Sequence, residues 1–291
     1  MTGVKTKLGK MLETPVMTKV LSKKDKASKN PWDRDNQQGR FKYPLRDRNP
    51  SSLEEEMKIQ SRLTEMLEVE MKPDIWVKEK FPKPLKTSEQ NYWLGLLMTD
   101  GFVFDQRMGG IVLGLELQVR DGYLVSRFAK FIDKKARSEK RRVRVYRNCT
   151  KEIGYLWGHG IRLHKSGIEI WPDTVTDDMA FLRGVFDGDG SVSVSNKRSL
   201  AIAFYSASVP FLKSIAEKIA QHTGIDSYYF GRIKGARCYR IVYSLGYDKA
   251  KKFYKTLYSI TSDEPRLHRK ERIMRLFAER PKPFLGRPPT C

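Results

Sequence analysis

Cysteine is scarce: three in 291 residues, Cys149, Cys238 and Cys291, far apart and without a CxxC pair. That spacing argues against a zinc ribbon and a disulfide scaffold, and it fits a reducing compartment. No apolar run reaches the roughly 18 residues that a membrane-spanning helix needs, so no membrane partner is expected. The first 30 residues lack an apolar signal core and include Glu13, Pro15 and Asp25. Secretion is not expected, although the lysines here are compatible with an organellar transit segment. His159, His164, His222 and His268 show no HExxH spacing. Acids are also in short supply. Thirty-four stand against 56 lysines and arginines, a formal net charge of +22. With no membrane signature, such an excess points first to a nucleic-acid partner. The expected location is a reducing compartment that holds DNA, cytoplasmic (nucleoid) or organellar.

Three regions differ in character. Residues 1–87 read as a basic arm, a short helix and a proline-marked linker. The first 50 residues carry thirteen basic and five acidic side chains, with Pro31, Pro44, Pro50 and no sustained periodicity. Ser52 with Glu55 forms a capping-box pattern ahead of Leu53, Met57, Leu63, Met66 and Leu67. Pro73, Pro82 and Pro84 then mark the linker. Residues 88–178 and 179–291 are two copies of one unit.

The repeat is visible in its first elements. Tyr92 to Val103 and Phe181 to Val192 are each an apolar helical run with a mid-run glycine and Asp-Gly at the end. Asp100 and Asp189 are 89 residues apart. Hairpins follow both, at 102–119 and 191–206. A helix comes next, carrying Leu124, Phe128 and Phe131 in the first copy. In the second it starts at Ser208-Val-Pro210 and stops at Gly224. Strands follow at 140–147, 228–233 and 238–243, the last two around a Gly235 turn. Helices are expected at 150–159, 247–258 and 265–279. The unit is helix, hairpin, helix, strands, helix, used twice, and the class is α+β. Trp93, Trp157, Trp171 and Tyr228-Tyr229-Phe230 read as packing residues.

An aspartate at a helix C-terminus sits at the negative end of the helix dipole, where a carboxylate gains nothing. The following glycine can take a left-handed turn. If the two helices pack side by side, Gly95 and Gly184 permit a close approach and Asp100 and Asp189 come together. Adjacent carboxylates call for a proton or a cation between them. All-oxygen ligands suit Mg²⁺ (or Mn²⁺), which takes its other ligands from water and phosphate. Such a centre can hydrolyse phosphodiesters.

Leu182–Gly190 (LRGVFDGDG) and, more degenerately, Trp93–Gly101 (WLGLLMTDG) resemble the nine-residue signature of LAGLIDADG homing endonucleases. The resemblance spans about 88–280. It implies a pseudo-two-fold pair of αββαββα-like repeats in one monomeric chain, whose strands form a saddle-shaped sheet in the DNA major groove. It implies a site-specific, metal-dependent endonuclease acting on double-stranded DNA. The metal-binding acids fall on Asp100 and Asp189. The sixth motif position holds Asp187 in one copy and Met98 in the other. The resemblance also implies basic residues near the scissile phosphates, which places Lys165 (with His164) and Lys270 (with Arg269) in catalytic support, and polar hairpin-end residues at Asp121 and Ser208. Groove contacts are expected from Arg107, Gln118, Arg120, Arg142 and Arg144 in the first copy. In the second they fall on Lys197, Arg198, Arg232, Lys234, Arg237 and Arg240. Residues 197–291 hold 20 basic and 7 acidic residues, and phosphate contacts of this sort supply affinity without sequence information. The same fold also serves non-cutting nucleic-acid binders. The alternative reading is therefore an intron-RNA splicing maturase or a transcription regulator.

Overall fold

The computed structural model describes residues 75–106, 110–162, 167–195, 199–259 and 263–281. The expected capping box at Ser52 and the basic arm, residues 1–50, lie outside them. Helix α1 (Ile75–Lys80) precedes α2 (Ser88–Thr99), β1 (Gly101–Gln106), β2 (Gly110–Gln118), α3 (Gly122–Phe131), β3 (Arg137–Glu139), β4 (Arg142–Asn148) and α4 (Ile153–Trp157). The second series is α5 (Asp178–Asp189), β5 (Gly190–Ser195), β6 (Ser199–Ser206), α6 (Val209–Thr223), β7 (Tyr229–Arg232), β8 (Tyr239–Leu245) and α7 (Tyr247–Tyr258), followed by α8 (His268–Glu279). Each series from α2 and from α5 reads αββαββα. The two antiparallel sheets have the orders β1-β2-β4-β3 and β5-β6-β8-β7, the same order twice. None of the described helices is long and apolar enough to cross a membrane.

Local chemistry explains most boundaries. Thr87 and Gln90 form a reciprocal capping box at the start of α2. The Asp177 carboxylate accepts from the amides of Met179 and Ala180 at the start of α5. Ser208 caps α6, Pro210 sits in its first turn, and Gly224 ends it at φ +66°. Gly235 turns β7 into β8 at φ +78°.

Several expectations are corrected. The proline-marked stretch is no free linker from residue 75 on, because Trp76, Val77, Phe81 and Leu85 are buried. Arg147 on β4 holds α1 by lying over the Trp76 ring at 4.2 Å, and it donates to Ile132 O at 2.7 Å. The 140–147 strand begins at Arg142, since Lys140 is in the left-handed region (φ +48°) in the turn from β3. The 150–159 helix shrinks to Ile153–Trp157, closed by Gly158 and by Gly160 at φ +80°. The last helix starts at His268 because the Leu267 amide donates to Asp187 at 2.7 Å. Tyr229 does not pack inside its strand and is 59% exposed.

The centre of the molecule is the α2–α5 pair. A Cβ built on Gly95 would lie 2.2 Å from Phe181 O, and one on Gly184 would lie 2.1 Å from Tyr92 O. The two backbones are in contact at this crossing. Around it Tyr92, Trp93, Phe181, Val185 and Phe186 are fully buried or nearly so. Asn91, itself buried, donates to Thr176 Oγ1 at 3.1 Å and accepts from the Thr176 amide at 3.0 Å. Ser88 donates to Asp177 at 2.6 Å, so the N-terminal ends are tied as well.

His159 is buried between Thr174 Oγ1 (2.8 Å) and Phe81 O (2.9 Å). A carbonyl on Nε2 fixes the proton there, and Nδ1 accepts from Thr174. Burial pushes its pKa down to about 4.

Two tests follow from this packing. Gly184→Ala must push helix backbone against helix backbone, which no rotamer relieves, and should cost about 3 kcal/mol or more in denaturant unfolding. An unchanged midpoint would mean that the helices do not touch at this point. For His159 the unfolded chain binds the proton more tightly, so stability falls as pH drops from about 6.5 towards 4, by roughly 3 kcal/mol at most. His159→Gln should flatten that part of the stability–pH curve.

Candidate active site and nucleic-acid interface

Both signature helices end on their acid and run straight into the first strand of a sheet. Asp100 closes α2 at φ −80°, ψ −9°, with its amide donating to Leu96 O at 2.9 Å. Asp189 is the last residue of α5 and is exposed, whereas Asp100 is half-buried. The glycines that follow do not turn left-handed, contrary to expectation. Gly190 is extended at φ −84°, ψ 160°. A side chain is excluded on steric grounds instead: a Cβ on Gly101 would lie 2.4 Å from Leu97 O, and one on Gly190 2.3 Å from the Phe186 ring. Gly188 plays a similar part between the helices. Its Cβ would lie 2.0 Å from Thr99 Oγ1 and 3.3 Å from the Asp100 amide. The C-terminal ends of α2 and α5 therefore meet, and Asp100 and Asp189 flank that junction.

Neither helix has a basic residue in its last turn. The cation for the α5 end comes from α8. Lys270 is buried, and its ammonium donates towards the carbonyls of Phe186 (2.6 Å), Asp187 (2.7 Å), Gly188 (3.1 Å) and Gly190 (2.6 Å). These groups bracket Asp189 on both sides. Burial lowers the Lys270 pKa to about 8. Asp187 opposes that, Arg269 adds to it, and the fields of Asp100 and Asp189 also oppose it. One ammonium is thus close enough to feel both acids. Lys165, its expected counterpart, and His164 lie outside the described residues.

Asp187 is wholly internal. Its carboxylate accepts from Tyr92 Oη and Tyr258 Oη, each at 2.9 Å, and from the Leu267 amide at 2.7 Å. Desolvation raises its pKa, with Lys270 first among the opposing influences, and both tyrosines are pushed well above their ordinary value. Arg183, also buried, donates to Leu257 O at 3.1 Å and to Glu264 at 2.6 Å, which adds a second tie across the same region. Sequence reading did not single out Tyr92, Tyr258 or Arg183. One signal was available. Tyr92 and Asp187 meet across the repeats, while the equivalent positions are Phe181 and Met98, so a polar pair in one combination matches an apolar pair in the other.

The expected hairpin-end residues serve as crossing points between the repeats. Asp121 is buried and accepts from Arg269 Nε at 3.1 Å. Ser208 Oγ donates to Glu169 O at 2.6 Å. Tyr123 stacks on His268 at 4.3 Å between ring centroids. Near Asp189, Cys238 has a raised pKa, through burial first and the Asp189 charge second.

Beside Asp100 lies an open cavity of about 410 Å³ lined by Phe102, Phe104, Glu116, Arg144 and Tyr146. On β4, Arg142 is exposed, Val143, Arg144 and Tyr146 are half-buried and Val145 is buried. Gln118, Arg120, Arg232, Lys234, Arg237 and Arg240 are exposed. Arg142 is paired with Glu116 and Arg144 with Glu139. Arg107, Lys197 and Arg198 lie outside the described residues.

The fold just described is a two-repeat α+β architecture. Residues 176–258 match the family model described as a LAGLIDADG-like domain. No curated protein matches the chain by sequence. Solved structures with a similar outline include the LAGLIDADG meganuclease I-AabMI bound to uncleaved DNA, with a TM-score of 0.45 and 12% identity, covering 66% of this chain and 89% of that one. Another is the homing endonuclease I-WcaI bound to its DNA recognition sequence, with a TM-score of 0.45 and 11% identity, covering 71% and 96%. A third is I-SmaMI, bound to uncleaved DNA in the presence of calcium ions, at 0.39 and 11%, covering 61% and 87%.

Removing the Lys270 ammonium should expose what it holds. Lys270→Met leaves four carbonyls without their donor and Asp187 without its nearby cation, at a cost of about 3 kcal/mol or more in denaturant unfolding. The wild type should also gain stability relative to this variant between about pH 8 and 10, because the folded state there binds the Lys270 proton less tightly than the unfolded chain. A pH-independent difference would contradict the buried-ammonium assignment.

Proposed function

We propose that this chain is a site-specific endonuclease of double-stranded DNA, of the homing type, acting as a monomer with a divalent cation, Mg²⁺ or Mn²⁺. The observation that carries the reading is the meeting of two helix C-termini, each ending in an acid at the root of a sheet strand. A nucleic acid lying along the strands would pass both acids.

The residues fit a hard cation. Two carboxylates at two negative helix ends favour a positive ion, and α2 carries no basic residue in its last turn to supply one. Among the described residues no group of three or more His, Cys, Asp and Glu forms a cage. Two carboxylates would leave the remaining positions to water and phosphate oxygens, as Mg²⁺ prefers. When bound, the metal would supply charge stabilisation at the scissile phosphate and a more acidic water.

The protein's own contribution is positioning. Gly95, Gly184 and Gly188 set the distance between the helices. Lys270 fixes the main chain on both sides of Asp189, and in this reading it acts through that acid, because its N–H groups are turned to carbonyls. Lys165 would support the Asp100 side. Exposed Gln118, Arg120, Arg142, Arg232, Lys234, Arg237 and Arg240 and half-buried Arg144 would hold the duplex, together with Arg107, Lys197 and Arg198 of the hairpin turns.

Incubating the full chain with native-locus or randomised duplex DNA and Mg²⁺, with EDTA as control, should give discrete ends. Asp100→Asn and Asp189→Asn should each abolish double-strand cutting while duplex binding persists. Full cutting by either variant would overturn the metal assignment. Tight intron-RNA binding with no cut ends in any library would replace the endonuclease by a splicing maturase.

A further inference from the structure

The two sheets share a topology and differ in chemistry on their open faces. In the first, the register sets Gln118 opposite Arg142 and Glu116 opposite Arg144, with Glu139 opposite Arg142 on the other side. These residues alternate with Leu115 and Val145, which are buried on the inner face. The charges pair diagonally. Arg142 bonds Glu116, and Arg144 meets Glu139 at 2.5 Å. The Arg144 Nε–H has no hydrogen-bond acceptor among the described residues. In the second sheet the row equivalent to Glu116 and Arg144 is Tyr205, Arg240 and Gly231, and the rows beside it on the same face are Ser191, Ala203, Val242 and Tyr229, then Ser193, Ala201 and Ser244. Arg240 is the one charged side chain among the described residues in the paired rows of that face, and its guanidinium lies 5.9 Å from the Tyr229 ring centroid. Arg232, Lys234 and Arg237 gather at the β7–β8 turn.

A lone cation is drawn to any phosphate and carries no sequence information. A cation already facing a carboxylate is different. The pair is neutral, and the acid repels phosphate, so generic attraction is weak. The pair gains most where acceptors and a donor lie side by side. A G·C base pair offers that in the major groove: guanine O6 and N7 suit the arginine fork, and cytosine N4–H suits the glutamate. Side chains as small as serine and alanine reach base edges poorly, and their face leaves affinity to the surrounding cations.

Building on the DNA-binding reading above, we propose that the first sheet is the specificity-determining half. There Arg142–Glu116 and Arg144–Glu139 each read one G·C pair, while the second sheet holds its half-site with little sequence demand. The first repeat, poorer in net positive charge and more degenerate in its motif, is on this account the reader, and the second is the anchor.

The test is selection of a randomised duplex DNA library by the full-length protein in calcium buffer, with sequencing of the retained pool. One half-site should show two positions fixed as G·C, and the other should stay degenerate. Glu116→Gln, on an exposed strand face, should reduce discrimination at one fixed position by about tenfold. Arg240→Gln should weaken retention of every duplex alike. Equal sequence demand in both halves, or an unchanged selected sequence with Glu116→Gln, would overturn the proposal and leave DNA binding intact. No retention of duplex DNA at any salt concentration would overturn the DNA-binding reading and this proposal with it.

Discussion

Everything else in this molecule depends on one backbone-to-backbone contact. At the α2–α5 crossing neither Gly95 nor Gly184 has room for a methyl group. Close approach at that point lets Asn91 and Ser88 bridge to Thr176 and Asp177 at one end. It also brings Gly188 against Thr99 and Asp100 at the other. The acids are therefore placed by main-chain sterics, which are stiffer than any side-chain contact. Each sheet grows directly from its helix, so the same contact also sets where the two open faces begin.

Bringing two negative helix ends and two carboxylates together is unfavourable on its own. The structure offsets part of this with a single buried lysine. Lys270 is reached through a chain of inward-facing polar groups: the Leu267 amide held by Asp187, Asp187 held by Tyr92 and Tyr258, and Arg269 held by Asp121. Two of these four links, Asp187 to Tyr92 and Arg269 to Asp121, join one repeat to the other. Buried networks of this kind are costly unless every member is satisfied, and here the members of Asp187's circle have partners. The α2 end is built differently. Thr99 bonds back to Gly95 O and Leu96 O, and Met98 occupies the position where the other helix has Asp187. Two equivalent acids thus sit in unequal surroundings, one on a helix end whose carbonyls are capped by an ammonium and one beside an open, aromatic-lined cavity.

Much of the fold was legible in sequence because it rests on local rules. The Asp-Gly repeat, the hairpins, the Ser208-to-Gly224 helix with its cap and stop, and helix 247–258 all follow from periodicity and turn chemistry within a few residues. Misread elements were those decided at a distance. Residues 75–85 look like a proline linker, yet Trp76 and Phe81 find an apolar seat formed by residues far along the chain. Helix α8 starts late because its preceding amide is claimed by Asp187, 80 positions away. Gly101 and Gly190 follow an acid at a helix end, a position that permits a left-handed turn. Their actual constraint is lack of space against the preceding helical turn.

By itself the sequence determined that two copies of one unit exist, that each ends a helix on an acid, and that cations are in excess. These properties depend on residue identity and short spacing. The tertiary structure alone decided how those parts are used. It turned Lys270 inwards to the α5 carbonyls, made Asp187 a buried hub, and paired Arg142 and Arg144 with carboxylates on neighbouring strands. It also showed that, within the described residues, the more basic half has the less charged sheet face. The physical reason is that a charge acts through its neighbours in space, and strand register and helix contact fix those neighbours only after the chain has folded.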